Sequence, residues 1–181
     1  MKKIKTKRLN LVKPHKKYAH DMFEYAKSPI IGPMAGWDPH ASIEVSIYIL
    51  KEMSKSDYCW AIIYRADHKM IGTIDLTLNK DDPNKPFSVY ELGYCISQSY
   101  WGLGIVVEAA NEVLKFAFNK LYADKIICRH FDFNLQSKRV IEKLGFKFIK
   151  YQQLEKFKKY GDLSCYYELT RKDFERNFNY D

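Results

Sequence analysis

Two glycines stand directly before a helical segment and suggest the first chemistry in this sequence. Gly102 and Gly104 precede a run from Ile105 in which apolar residues recur at helical spacing. A glycine turn at the start of a helix exposes unpaired backbone N–H groups at the positive end of the helix dipole, which suits a phosphate. Glycine at a turn is more often required by backbone geometry alone. The phosphate interpretation therefore depends on the neighbouring elements.

The strand before this turn carries the residues that could move a proton. Glu91 and Cys95 are four positions apart, so they share one face of a strand. Glu91 is the candidate general base, acting through a water molecule, and Asp75 is the second candidate. The alternative for Glu91 is a surface carboxylate that pairs with a lysine. No base is evident beside Cys95, which favours a small packed side chain over a nucleophile.

The four cysteines are separated from one another by more than thirty residues. They are Cys59, Cys95, Cys128 and Cys165. Because no two of them have the spacing of metal ligands, we expect reduced thiols in or near the core and no metal site.

Segments of period two and period 3.6 alternate along the chain, which predicts a mixed α/β domain. Strands are predicted at residues 8–12, 58–64, 70–79, 88–96, 125–130, 146–157 and 163–170. Helices are predicted from Pro14 to the break at Ser28, from Ser42 to Met53, after Gly104, and from the cap Asn134 to the C′ residue Gly145. Loops are predicted at 30–40 and 80–86, and turns at 67–69 and 160–162. The helix after Gly104 connects strands 88–96 and 125–130, so these two strands are expected to run parallel, whereas strands 58–64, 70–79 and 88–96 form an antiparallel meander.

Several short motifs occur in a defined order. They are Thr6-Lys7-Arg8-Leu9, Trp37-Asp38-Pro39-His40, Ile71-Gly72-Thr73-Ile74, Glu91-Leu92-Gly93-Tyr94, Tyr100-Trp101-Gly102-Leu103-Gly104, Glu108-Ala109, Asn134 with Ser137, and Glu142-Lys143-Leu144-Gly145-Phe146. In this order they resemble the acyl-CoA-dependent N-acetyltransferase superfamily, the GNAT fold. The closest resemblance is to the branch that acetylates N-terminal amines of ribosomal proteins. It extends from about Thr6 to Thr170.

The resemblance implies a single GNAT domain over residues 1–181. Its sheet would be mostly antiparallel, splayed at two parallel strands and flanked by helices, with acetyl-CoA as the cosubstrate. The pantetheine arm of the cofactor would enter where the parallel strands separate. A backbone N–H near Cys95 would stabilise the thioester oxyanion by about 3 kcal/mol. The expected cofactor contacts are the backbone amides of Trp101, Gly102, Leu103, Gly104 and Ile105, main-chain groups of Cys95 and Ile96, and Asn134.

The proton donor to the leaving thiolate and the acceptor site are less well defined. A tyrosine that many members place seven positions after the asparagine is Ile141 here. Ser137 is the alternative donor, unless its hydroxyl only satisfies the first turn of its helix, and Asn134 could serve only as a helix cap. Trp37 and His40 would line one side of the acceptor site, although core packing and helix entry explain them equally well.

The composition favours a folded protein with a lysine-rich surface. Of the 181 residues, 46% are hydrophobic, and the formal net charge is +8, yet only six of the 30 basic residues are arginine. Because reading of bases and bidentate phosphate binding favour arginine, we do not expect a nucleic-acid partner. No apolar run is long enough to cross a bilayer and no signal-peptide core follows Met1, so we expect a cytoplasmic protein.

These features predict an N-acetyltransferase that transfers an acetyl group from acetyl-CoA to a primary amine by direct attack. A protein or peptide N-terminus is the expected acceptor, and the protein is expected to be a monomer or a homodimer. Two alternatives stay open. One is acetylation of a small-molecule amine, and the other is a non-catalytic module of the same fold that binds CoA, RNA or a ribosome.

Overall fold

The computed structural model describes residues 3–79, 88–161 and 163–178, apart from the side chain of Lys156. The predicted loop at 80–86 lies outside these residues, as does Asp162 of the last predicted turn. The strands are β1 (Ile4–Lys5), β2 (Leu9–Val12), β3 (Cys59–Tyr64), β4 (Lys69–Leu78), β5 (Val89–Ile96), β6 (Lys125–Phe131), β7 (Lys147–Gln152) and β8 (Ser164–Thr170). The helices are α1 (Ala19–Ala26), α2 (Ile31–Ala35), α3 (Ile43–Met53), α4 (Ile105–Lys120), α5 (Leu135–Lys143) and α6 (Arg171–Phe178), with short 3-10 helices at Lys16–Tyr18, Gln98–Tyr100 and Glu155–Phe157.

The strands follow the order β1-β2-β3-β4-β5-β6-β8-β7 in the sheet. β5 and β6 pair in parallel, from Val89 opposite Lys125 to Glu91 opposite Ile127. The pairs β1/β2, β2/β3, β3/β4, β6/β8 and β7/β8 are antiparallel. α4 is the crossover that makes the parallel pairing possible. The predicted mixed sheet with two parallel strands is therefore confirmed.

The chain divides into two compact units, and β4, β5 and α4 contribute residues to both. The first unit comprises Met1–Asp75 and Tyr94–Ala109, and the second comprises Leu76–Gly93 and Ala110–Asp181. The core of the first unit is formed by apolar side chains from α1, α2, α3, β3 and β4, namely Ala19, Met22, Tyr25, Ala26, Ile31, Leu50, Ala61 and Met70. In the second unit, Phe118 of α4 stacks on Phe174 of α6 with ring centroids 4.5 Å apart.

The segment predicted as a loop at residues 30–40 contains α2, so that prediction was wrong. α2 ends at Gly36, whose φ of +83° is in the left-handed region. Pro33 is compatible with this helix because it lies in the first turn, where backbone N–H groups have no helical partner. The Gly-Pro pair therefore lies at the beginning of a helix and does not interrupt one.

Other predicted boundaries differ at three places. The first helix begins at Ala19 and not at Pro14, because a 3-10 helix at Lys16–Tyr18 precedes it. The strand predicted at 146–157 covers only Lys147–Gln152, and α6 was not predicted. The remaining predicted strands agree with β2 to β6 and β8 to within one residue at each end. Among the described helices, none is both long and apolar enough to cross a membrane.

Candidate functional site

The glycine turn before α4 adopts the conformation that its sequence requires. Gly102 and Gly104 have φ angles of +77° and +70°, in the region that L-residues with a side chain rarely adopt. A β-carbon at Gly102 would meet no atom within 4 Å. The turn is therefore open on the side where a side chain would otherwise project, and α4 begins directly after it at Ile105.

A row of backbone N–H groups at this turn is left without an acceptor. Within the described part of the chain, the N–H groups of residues 102–107 donate no hydrogen bond. The first helical bond of α4 runs from the Glu108 N–H to the Gly104 carbonyl, at 3.1 Å. The Trp101 N–H already donates to the Gln98 carbonyl at 3.1 Å. Of the predicted set of amides, those of residues 102–105 are thus available to an anion.

The end of β5 is tied to this turn through the side chain of Trp101. The Trp101 indole N–H donates to the Ile96 carbonyl at 3.1 Å. Trp101 and Cys95 both pack against the core of the first unit. Burial raises the pKa of the Cys95 thiol to about 12, so the thiol is protonated near neutral pH. A protonated thiol is a poor nucleophile, which agrees with the packing interpretation of Cys95.

The predicted acceptor residues Trp37 and His40 lie in the first unit, between α2 and α3. Their rings are 5.3 Å apart, and Trp37 packs against the core. His40 Nδ1 lies 2.7 Å from the hydroxyl of the buried Ser46. Burial lowers the pKa of His40, which favours the neutral imidazole. Both side chains are half-buried, so part of each is accessible to a ligand.

In the second unit, Glu91 lies where the parallel pairing of β5 and β6 ends. An Arg129 guanidinium nitrogen is 3.4 Å from Glu91 Oε2, so an arginine forms an ion pair with this carboxylate. Arg129 also lies over the Tyr166 ring, 5.5 Å from its centre. Leu92 follows Glu91 on β5, and its carbonyl accepts a hydrogen bond from the Cys128 thiol at 3.3 Å.

Asn134 is the N-cap of α5, as predicted. Its side-chain oxygen accepts the Ser137 N–H at 3.0 Å. At the other end, Gly145 has a φ of +80° and occupies the C′ position. The Ile141 side chain is fully buried within the packed face of α5, so a residue at this position is part of the core. Asn134 and Ser137 are both half-buried in the first turn.

Two arginines, one in each unit, have contacts that their positions in the sequence did not predict. Arg129 forms an ion pair with Glu91, and Arg8 contacts both Leu103 and Glu108. Arg129 follows Ile127 by two residues on β6, so the strand register could have placed it on the Glu91 face once the parallel pairing was known. No spacing rule links Arg8 to residues about a hundred positions away. Within the described ranges, no group of three or more His, Cys, Asp or Glu residues could hold a metal ion.

Comparison with known proteins identifies sequence relatives over most of the chain. Residues 8–147 match the family model described as an acetyltransferase (GNAT) domain. The SPbeta prophage-derived uncharacterized N-acetyltransferase YokL of Bacillus subtilis (strain 168) is 31% identical over 143 residues, covering 77% of this chain and 76% of YokL.

Solved structures share the fold at lower sequence identity. An acetyltransferase of the GNAT family from Bacillus anthracis has a TM-score of 0.83 and 20% identity, covering 94% of this chain and 99% of that one. The ribosomal-protein-S5-alanine acetyltransferase of Vibrio fischeri has a TM-score of 0.72 and 19% identity, with coverages of 96% and 99%. The microcin C7 self immunity acetyltransferase MccE, crystallised with acetyl-CoA and AMP, has a TM-score of 0.75 and 16% identity, with coverages of 91% and 93%. At these identities the similarity establishes the fold.

Proposed function

This chain belongs to the acetyltransferase (GNAT) family and is an acetyl-CoA-dependent N-acetyltransferase, and on that premise we propose that it acetylates the N-terminal amine of a protein or peptide. The proposed binding of acetyl-CoA rests on one observation: the N–H groups of residues 102–107 donate to no described residue. Such a row at the start of a 16-residue helix matches the diphosphate of CoA.

Acetyl-CoA supplies the acetyl group as a thioester. In the first unit, the amides of residues 102–105 would hold the diphosphate, and main-chain groups of Cys95 and Ile96 would follow the pantetheine arm, with the Ile96 carbonyl already accepting the Trp101 indole. Gly102 and Gly104 matter here because a residue with a side chain would be strained at their positive φ angles. Such a side chain would also block the approach of the diphosphate to the backbone N–H groups. In the second unit, the resemblance implies a cofactor contact at Asn134.

Glu91 is the proposed base. An acceptor ammonium must lose a proton before its nitrogen can attack, and an ionised carboxylate can take that proton through a water molecule. The ion pair with Arg129 fixes the direction of the Glu91 carboxylate. Arg129 is a positioning residue in this scheme, because it acts through Glu91.

Ser137 is the proposed proton donor to the leaving thiolate. The Ser137 backbone N–H donates to the Asn134 side-chain oxygen at 3.0 Å. This hydrogen bond fixes the first turn of α5 and therefore the position of the Ser137 Cα. The position of the tyrosine that many superfamily members use is Ile141, which is buried in the core. A hydroxyl donor must therefore come from elsewhere, and the resemblance implies Ser137.

The choice of a polypeptide N-terminus rests on two observations. The motifs resemble the branch that acetylates ribosomal proteins, and the fold is shared with the ribosomal-protein-S5-alanine acetyltransferase of Vibrio fischeri. Trp37 and His40 would contact the acceptor, the first through its ring and the second as a neutral imidazole.

The test combines thermal shift with thiol release. Acetyl-CoA should raise the melting temperature, and peptides with a free N-terminus should release CoA thiol. The matched control is the same peptide with its N-terminus already acetylated and any lysines retained, which should release none. Release with small amines but not with peptides would contradict the proposed acceptor. Stabilisation by acetyl-CoA without any turnover would contradict the assignment of Glu91 and Ser137 to catalysis.

A further inference from the structure

Two motifs that lie about a hundred residues apart in sequence meet in the first unit. The Glu108 carboxylate accepts hydrogen bonds from the Thr6 hydroxyl at 2.5 Å and from the Arg8 backbone N–H at 2.7 Å. Its other oxygen accepts the Arg8 Nε at 2.7 Å. The Thr6 hydroxyl in turn accepts the Leu9 N–H at 2.9 Å. The turn between β1 and β2 is thus fastened to the first turn of α4.

The same arginine reaches the glycine turn. Arg8 Nη1 donates to the Leu103 carbonyl at 2.9 Å. Arg8 Nη2 is the nearest atom to a β-carbon built at Gly104, at 3.9 Å. The guanidinium is therefore held on one side by Glu108 and itself holds the peptide between Leu103 and Gly104.

Anchoring the Leu103 carbonyl determines where the Gly104 N–H points. Both groups belong to one planar trans peptide, in which the C=O and N–H bonds point in opposite directions. Gly104 is one of the residues whose N–H donates to no described residue. Glycine adopts many backbone conformations at little cost, so Gly102 and Gly104 alone would leave this peptide free to rotate.

We propose that Arg8 is a positioning residue of the cofactor turn, which orients the Gly104 N–H by holding the Leu103 carbonyl. This inference rests on the proposed cofactor site at residues 102–105. Its effect is preorganisation: without the arginine, binding of the diphosphate must first order the turn, and that cost lowers affinity.

Arg65 provides a matched control in the same unit. Its Nη1 donates to the Thr6 carbonyl at 2.7 Å and to the Leu9 carbonyl at 3.0 Å. Arg65 therefore fastens the same β1–β2 turn as Arg8 does, but none of its described bonds reaches residues 101–105. Replacing Arg65 tests the stability of this turn without changing the Leu103 contact.

The experiment measures the Kd of acetyl-CoA by calorimetry for the wild type, Arg8→Gln, Arg8→Lys and Arg65→Gln, with the melting temperature of each. Arg8→Gln removes the hydrogen bond from the charged guanidinium to the Leu103 carbonyl, and this loss should raise the Kd of acetyl-CoA about tenfold. Arg8→Lys should not restore affinity, because an ammonium cannot bind Glu108 and Leu103 in the fork geometry of a guanidinium. Arg65→Gln should bind within twofold of the wild type, although its melting temperature falls.

The backbone amide resonance of Gly104 supplies a second readout that does not depend on the cofactor. In the ligand-free protein it should shift or broaden in Arg8→Gln and stay in place in Arg65→Gln. Wild-type affinity in a folded Arg8→Gln protein, or equal losses in Arg8→Gln and Arg65→Gln, would overturn the proposal. Absence of acetyl-CoA binding by the wild type would instead overturn the cofactor site on which it rests.

Discussion

Replacing Gly72 by alanine should move the end of β5 that the proposed pantetheine site uses. Gly72 lies on β4, and a β-carbon built there would be 2.2 Å from the Cys95 carbonyl oxygen and 2.9 Å from the Ile96 Cα. Both neighbours are backbone atoms, so no side chain can rotate away. Reaching an ordinary contact of 3.4 Å requires the two strands to separate by about 1.2 Å at this point.

The magnitude follows from that separation. Overpacking in a well-packed interior typically costs about 1–3 kcal/mol, and a clash between two backbones belongs at the upper end. A loss of about 3 kcal/mol corresponds to a fall in melting temperature of about 6–12 °C for a chain of this length. Moving the main-chain groups of Cys95 and Ile96 should also weaken acetyl-CoA binding about tenfold, the equivalent of about one lost hydrogen bond.

The assay is differential scanning fluorimetry together with calorimetric titration of acetyl-CoA. Gly32→Ala is the control, because the three atoms nearest to a β-carbon there all belong to Trp37, with the Trp37 carbonyl oxygen at 2.6 Å, and none belongs to β5. It should lower the melting temperature and leave the Kd of acetyl-CoA within twofold. An unchanged melting temperature in Gly72→Ala would refute the close approach of the strands. Equal losses of affinity in both variants would show that destabilisation alone reduces binding.

Three further predictions concern single side chains. Glu91→Gln should reduce turnover at saturating substrates about a hundredfold while the Kd of acetyl-CoA stays unchanged, as expected for loss of a general base. Unaltered turnover in steady-state kinetics would remove Glu91 from that role. Burial raises the pKa of Glu108, but the hydrogen bonds from Thr6 and Arg8 outweigh this effect and hold the pKa below its ordinary value of 4.5. The ionised Glu108 carboxylate therefore stabilises the fold above about pH 4.5, and this contribution is lost as the pH falls through the folded-state pKa. Melting curves between pH 6 and 3 should accordingly show a smaller acid loss in Glu108→Gln, and parallel curves for variant and wild type would contradict this. Since the Cys95 thiol has a pKa of about 12, iodoacetamide at pH 7.5 should leave acetyl transfer intact in the native protein, and rapid inactivation protected by acetyl-CoA would point to a reactive thiol.

Periodicity was sufficient for six of the eight described strands, β2 to β6 and β8, whose bounds agree with the prediction to within one residue. β4 and β8 bury alternate residues over part of their length, and the crossover through α4 required parallel neighbours. The turn at residues 101–105 was also predictable, since two closely spaced glycines directly before a helical run favour a tight turn with positive φ angles. The N-cap at Asn134 and the C′ glycine at Gly145 follow from the same local rules.

The errors have local physical causes. The loop prediction at residues 30–40 is wrong because Pro33 lies in the first turn of α2, where a proline costs no hydrogen bond. α6 begins with a cap formed by Thr170 and Asp173. The Asp173 N–H donates to the Thr170 hydroxyl at 3.2 Å, and that hydroxyl donates to the Asp173 carboxylate at 2.8 Å. Thr-x-x-Asp is a variant of the capping box and could have been recognised in the sequence.

The contacts that organise the candidate site were harder to anticipate. The Arg8–Leu103 and Glu91–Arg129 contacts join residues far apart in sequence, and each depends on strand order and register. The close approach at Gly72 depends on the path of two backbones, which a glycine in a strand suggests but does not locate. Local rules give the elements, and only the assembled chain gives these pairs.

The central claim is that the backbone amides of residues 102–105, which donate to no described residue, hold the diphosphate of CoA. Calorimetric titration of CoA into the wild type and Gly104→Val tests it directly, because the valine would need the φ of +70° that Gly104 has and would strain or rotate the turn. The account predicts measurable binding by the wild type and at least tenfold weaker binding by a folded Gly104→Val protein. No heat of binding to the wild type at millimolar CoA, or equal affinity of the two proteins, would contradict it.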